Sequence, residues 1–239
     1  RALGMFPNFT KAKDFYEKSL RIYVHNYEAD GHPEIALCYF SLGSIAFELK
    51  DYNLSKNNIE TALRIRKKFY PENHLLIAYC HENLGAVFSE LNLIDSAFFH
   101  YNKAIFIYEK INTNYIDIGK VFVFKGVLEN KIGNIETAFG YFNKAKEIFN
   151  VYLGRSHSEW VSLYNTIGAA FFDKGNYKHA ADNFHLAIIA GTVLADDCSL
   201  GDIFMNPSVH ELKFDITIIE ALENKAETFY KLFLDHNNL

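Results

Sequence analysis

The stretch HENLGAVFSELNLIDSAFFHYNKA, residues 81–104, sets the reading of the whole chain. It holds an imidazole at His81, a lone glycine at Gly85, and then Ala97, Tyr101 and Ala104 at offsets of +12, +16 and +19 from that glycine. The same chemistry returns around Gly43, Gly126 and Gly168, so the four glycines stand 42, 41 and 42 residues apart. Tyr39, Phe122 and Tyr164 lie four residues before their glycines; Ser55, Ala138 and Ala180 lie twelve after. Ile59, Phe142 and Phe184 follow at sixteen, and Ala62, Ala145 and Ala187 at nineteen. A pattern that recurs at several offsets with a period of this size marks an array of stacked helices. Small residues let antiparallel helices approach closely, and large ones fill the space between pairs. Glycine costs about 1 kcal/mol against alanine inside a helix, so its return at one offset implies a contact that needs it.

Working outward, the pattern predicts the second helix of an incomplete first repeat at 8–26. Four helix pairs follow, at 33–49 with 52–69, 75–91 with 94–111, 115–132 with 135–152, and 158–174 with 177–191. Asn92, Gly133-Asn134 and Gly175-Asn176 supply residues that tolerate a left-handed backbone between paired helices, while Pro71 and Gly154 close long second helices. His32, His74 and His157 open successive repeats and read as helix-start residues. Arg64, Arg66, Lys67 and Lys68 read as a solvated helix C-terminus, where positive charge is favoured. Residues 192–216 break the period with turn chemistry at Asp196-Asp197, Gly201-Asp202 and Asn206-Pro207. The pattern resumes as one helix over 218–234, with Ala226 in the glycine position. The expected organisation is a repeat array over 1–191, a non-periodic insert over 192–216 and a truncated further repeat over 217–239. A start at Arg1 and a last helix without its pair are expected of a fragment whose natural chain continues beyond Leu239.

Leu84-Gly85, Ile167-Gly168, the run Ala180-Ala181-Asp182-Asn183-Phe184-His185-Leu186-Ala187 and the opening His32-Pro33-Glu34-Ile35-Ala36 resemble the tetratricopeptide repeat, in its 42-residue, kinesin-light-chain-like form. The resemblance implies an all-α fold, a right-handed superhelical solenoid of antiparallel helix pairs. Lys125 departs from the pattern, replacing an aliphatic residue before the glycine, and is expected to loosen packing there. The run Asp202-Ile203-Phe204-Met205-Asn206-Pro207-Ser208, with Ile219-Glu220-Ala221-Leu222-Glu223-Asn224-Lys225-Ala226, resembles the linker between such repeats and a C-terminal caspase-like CHAT domain in bacterial proteins. That second resemblance implies a sensing or scaffolding segment whose protease dyad lies outside these residues.

Composition agrees with a helical array. The 239 residues are 49% hydrophobic with four prolines, enough to bury a continuous core. A net charge of −5 without blocks of like charge advertises neither a nucleic-acid face nor a polybasic membrane patch. The apolar runs are too short to span a bilayer, and no leader is expected at the start. Cys38, Cys80 and Cys198 form no paired framework, which fits a reducing, cytoplasmic setting.

Catalysis has one sequence candidate, Cys80-His81, but neighbours on a helix point about 100° apart. No His-x-x-x-His or Cys-x-x-Cys spacing offers a zinc site, and no glycine-rich phosphate loop is present, so neither metal nor cofactor is expected. The family resemblance instead implies a concave face lined by the first helix of each pair. Carried onto this sequence, its partner-binding residues are Phe40, Ser44, Tyr79, Glu82, Asn83, Lys120, Phe124, Asn130, Asn165 and Thr166. Side-chain amides both donate and accept, which suits the backbone of an extended peptide; the rings suit apolar side chains. Lys120 and Lys131 are the only cations expected near this face, too few for a carboxylate clamp. The expectation is a non-enzymatic scaffold for a protein or peptide. The alternative is a regulatory segment of a CHAT-type protease, with a C-terminal domain of the same protein as partner.

Overall fold

The computed structural model describes residues 7–29, 31–112, 115–192 and 216–237. They form α1 (Pro7–Asn26), α2 (Pro33–Glu48), α3 (Tyr52–Phe69), α4 (Leu75–Glu90), α5 (Ile94–Ile111), α6 (Tyr115–Lys131), α7 (Ile135–Tyr152), α8 (Ser158–Phe172), α9 (Tyr177–Ala190) and α10 (Ile216–Asn237). No strand occurs among the described residues. The all-α class and the paired-helix pattern expected from the sequence are both observed. Cys198 and the run 202–208, on which the CHAT resemblance partly rests, lie outside the described residues.

Two compact units divide the chain, residues 1–114 and 115–239. In the first, α2 pairs with α3 and α4 with α5, while α1 packs on α2 and α3 on α4. In the second, α6 pairs with α7 and α8 with α9, and α10 packs on α9 and α8.

The repeat positions explain these pairings. Ser55, Ala97, Ala138 and Ala180, and all four alanines at +19, are fully buried. A Cβ on Gly85 would lie 2.5 Å from two ring carbons of Tyr101, and one on Gly43 would lie 2.6 Å from Ile59. Gly126 and Gly168 face Phe142 and Phe184 in the same way. Each glycine therefore seats the large residue sixteen positions on, and that side chain, Ile59 or a ring, lies against bare helix backbone.

Local chemistry sets the helix ends. Nδ1 of His32, His74 and His157 accepts the N–H two residues on, each at 3.2 Å, which satisfies one otherwise orphaned helix donor. Asn92, Gly133 and Gly175 adopt positive φ in the turns, and so does Lys50 at the corresponding place. Lys125 corrects an expectation of loose packing. It is 7% exposed, with Nζ 4.4 Å from the Tyr141 ring centroid, so its stem fills the core while its charge rests on an aromatic face.

Candidate functional site

First helices of the pairs carry every sequence-predicted binding residue, and the two units treat them differently. In the first unit their polar groups are engaged within the protein. Ser44 Oγ donates to the Phe40 carbonyl at 3.1 Å, and Asn83 Nδ2 donates to the Tyr79 carbonyl at 2.9 Å, each back onto its own helix. Glu82 accepts from the Tyr108 hydroxyl at 2.5 Å, and the Tyr79 ring packs edge-on against Tyr108. The guanidinium of Arg66 lies 4.4 Å from the Phe40 ring centroid.

Arg66 and Tyr108 belong to second helices and were missed by sequence reasoning. Arg66 is a correction: it is no solvated helix-end charge but is 3% exposed, with Nη1 donating to the Leu76 carbonyl at 2.8 Å and to Cys80 Sγ at 3.2 Å. It adds a cation beside Phe40 to the two that sequence reasoning placed near this face. A signal was present, since Arg66, Tyr108 and Phe149 each stand 23 residues after their repeat glycine. At that offset a long side chain from a second helix reaches the neighbouring first helices; Phe149 meets Trp160 edge-on in the second unit.

Cys80 and His81 part company in the fold. The Cys80 thiol faces Arg66 on α3 and is pushed up to about 11 by burial, against the pull of that guanidinium. His81 faces α5, its Nδ1 2.9 Å from Nδ1 of His100. Burial holds both histidines at about 4, with the neighbouring His100 and Lys67 adding to the effect at His81 and Lys67 at His100. Thiol and imidazole thus point to different helices, so this sequence neighbourhood is no nucleophile and base pair. Among the described residues no cluster of three or more His, Cys, Asp or Glu could hold a metal ion.

In the second unit, Lys120 Nζ donates to Asp117 at 2.8 Å beside Glu159, whose carboxyl is raised by burial and opposed by Lys120 and His157. Phe124 is half-buried one turn along. Asn130, Asn165 and Thr166 come together in one pocket of about 300 Å³, with Asp173 on the α8 side and Glu220 and Asn224 on α10. Residues 165, 166 and 169 form one face of α8, extended by its C-cap Asp173, and 220 and 224 are one turn apart on α10. Asn165 is 7% exposed. The Oδ1 of Asn130 is buried and accepts no hydrogen bond among the described residues. The pocket mixes apolar walls, such as Val127, with amide and carboxylate groups whose hydrogen-bonding capacity a ligand could use.

Of the ten predicted residues, this pocket collects three, and the contribution of α10 was not foreseen. Among the described residues no helix is long and apolar enough to cross a membrane.

A tetratricopeptide repeat profile matches residues 41–110. No curated protein matches the chain significantly. Among solved structures, a Rap protein complexed with competence and sporulation factor superposes with a TM-score of 0.66 at 19% identity, covering 96% of this chain and 63% of that one. The Rap conjugation gene regulator of the plasmid pLS20, in complex with the Phr* peptide, gives 0.63 at 17% identity, covering 96% and 70%. Kinesin light chain TPR-like repeats of Podosopora anserina give 0.57 at 12% identity, covering 76% and 86%. The chain therefore spans about two thirds of the two Rap proteins. Such identities speak for the fold alone. Residues 41–110 thus match the tetratricopeptide repeat, and the described helices share the fold of tetratricopeptide-like helical solenoids.

Proposed function

We propose that this chain is a protein-interaction scaffold that holds an extended peptide segment, its own or a partner's, against α6, α8 and α10. One observation carries the reading. Asn130, Asn165 and Thr166, each expected from the sequence to face a partner, line a single pocket of about 300 Å³. An extended strand leaves its N–H and C=O groups unpaired along one edge, and side-chain amides can meet both kinds of group. The two Rap structures, solved with a factor and with a peptide, support a peptide as the class of ligand. In the first unit, the intramolecular bonds of Ser44, Glu82 and Asn83 favour a wall over a reading head.

A random heptapeptide display library selected on the full chain tests this. Selected peptides should bind with affinities that fall roughly 3- to 10-fold on Asn130→Ala and again on Thr166→Val, as expected for one lost hydrogen bond each. Far-ultraviolet circular dichroism should stay unchanged. An empty selection, or affinities indifferent to both substitutions, refutes the reading.

A further inference from the structure

The pocket on α6, α8 and α10 is rich in acceptors. Among the described residues its acidic lining is Asp173 and Glu220, both exposed. Asn130 adds a buried carbonyl oxygen that accepts nothing among the described residues. A second cavity of about 180 Å³ shares Asp173 and Asn224 and adds Glu227, so the carboxylates continue along one face of α10. Among the described residues no Lys or Arg lines either cavity. Lys225, next in sequence to Asn224, is 2% exposed, and its ammonium lies 3.1 Å from His185 Nδ1.

The charge of the surrounding unit has the same sign. Residues 115–239 contain 11 Lys and Arg against 16 Asp and Glu, which accounts for the whole net charge of −5; residues 1–114 are balanced. A ligand approaching this unit meets a negative field, and the described lining offers it carboxylates with no Lys or Arg beside them.

We infer that the segment held in this pocket presents an arginine, whose guanidinium donates to Asp173, Glu220 and the Asn130 carbonyl oxygen. A guanidinium carries five N–H donors and no acceptor, so it complements two carboxylates and an amide oxygen better than an amide or a hydroxyl, even though Ser162, Thr166 and the neighbouring amides of the lining can also donate. An acidic segment would bring carboxylates together and leave the Asn130 oxygen still unpaired. A purely apolar segment would desolvate Asp173 and Glu220 without return. The inference deepens the peptide-groove reading and rests on it.

Selection of a random heptapeptide library on the full chain supplies the probe. Recovered peptides should be enriched in arginine and depleted in aspartate and glutamate. For one recovered peptide, replacing its arginine by citrulline, which keeps the shape and loses the charge, should weaken binding about tenfold at low salt. The double substitution Asp173→Asn with Glu220→Gln should cost a similar factor and erase the preference for arginine over citrulline, because the coupling between the two sites is gone. Both side chains are exposed, so folding is retained, and circular dichroism verifies it. Peptides recovered without basic bias, or equal affinity for the arginine and citrulline forms, overturn the inference while the groove reading stands. An empty selection removes both.

Discussion

Replacing Gly85 by alanine tests the packing on which the repeat depends. Two effects oppose each other. Alanine gains about 1 kcal/mol of helix propensity over glycine. Its Cβ, however, would lie 2.5 Å from both Cδ1 and Cε1 of Tyr101 and 3.0 Å from Cγ, well inside van der Waals contact. Tyr101 is 2% exposed, so the ring cannot swing into solvent. Overpacking of this kind costs about 1–3 kcal/mol, and three contacts on one rigid ring put Gly85→Ala near the upper end. The expected net loss is about 1–2 kcal/mol. Gly140 provides the opposite case within the same molecule. It sits inside α7, and a Cβ there meets nothing within 4 Å, so Gly140→Ala should gain up to about 1 kcal/mol. Urea denaturation followed by circular dichroism reads both as shifts of the midpoint, downward for Gly85→Ala and upward for Gly140→Ala. Adding Tyr101→Leu to Gly85→Ala should cost less than the two changes separately, since the clash is shared. Equal stability of Gly85→Ala and the parent, or a fall for Gly140→Ala as large as for Gly85→Ala, would refute the claim that these glycines exist to seat a ring.

Two further predictions concern the first unit and the helix starts. His81 and His100, held at about 4 against an ordinary 6.5, are neutral in the folded state but protonate when unfolded, so stability should fall as pH drops from about 6.5 towards 4. The pair His81→Tyr with His100→Asn, which places Tyr39 with Asn58 and Tyr164 with Asn183 at the equivalent positions, should flatten that slope in thermal melts at a series of pH values. A slope that survives the exchange assigns it to other groups. His157→Ala should destabilise by about 1 kcal/mol, because the Glu159 N–H at 3.2 Å loses its acceptor, whereas His157→Asp should retain most of the stability. Equal melting temperatures for the two variants would show that the cap contributes nothing.

Much of the fold was legible because it rests on local chemistry repeated along the chain. The helices stand close to their sequence-based bounds, since histidine caps, left-handed Asn and Gly turns and the small-residue offsets all act within a few residues or one repeat. Lys125 and Arg66 were misjudged for one reason. A charged residue in sequence reads as solvated, but a long stem can be buried when a ring or a helix carbonyl receives the charge, as Tyr141 does for Lys125 and Leu76 for Arg66. The roles of Ser44 and Asn83 were also hidden: both are amide or hydroxyl side chains on the expected face, yet each bonds back to its own helix.

The period by itself determined that this chain is an array of helix pairs and which residues face each pair's interior, because one glycine and one large apolar residue at fixed offsets admit a single way for two helices to nest. Tertiary structure decided which polar groups remain available. It set α10 beside α8 across an insert without periodicity, brought Glu220 and Asn224 to Asn130 and Asp173, and turned Cys80 from His81. Such neighbours come from different helices far apart in the chain, and their meeting depends on how whole helices pack, which no local spacing records.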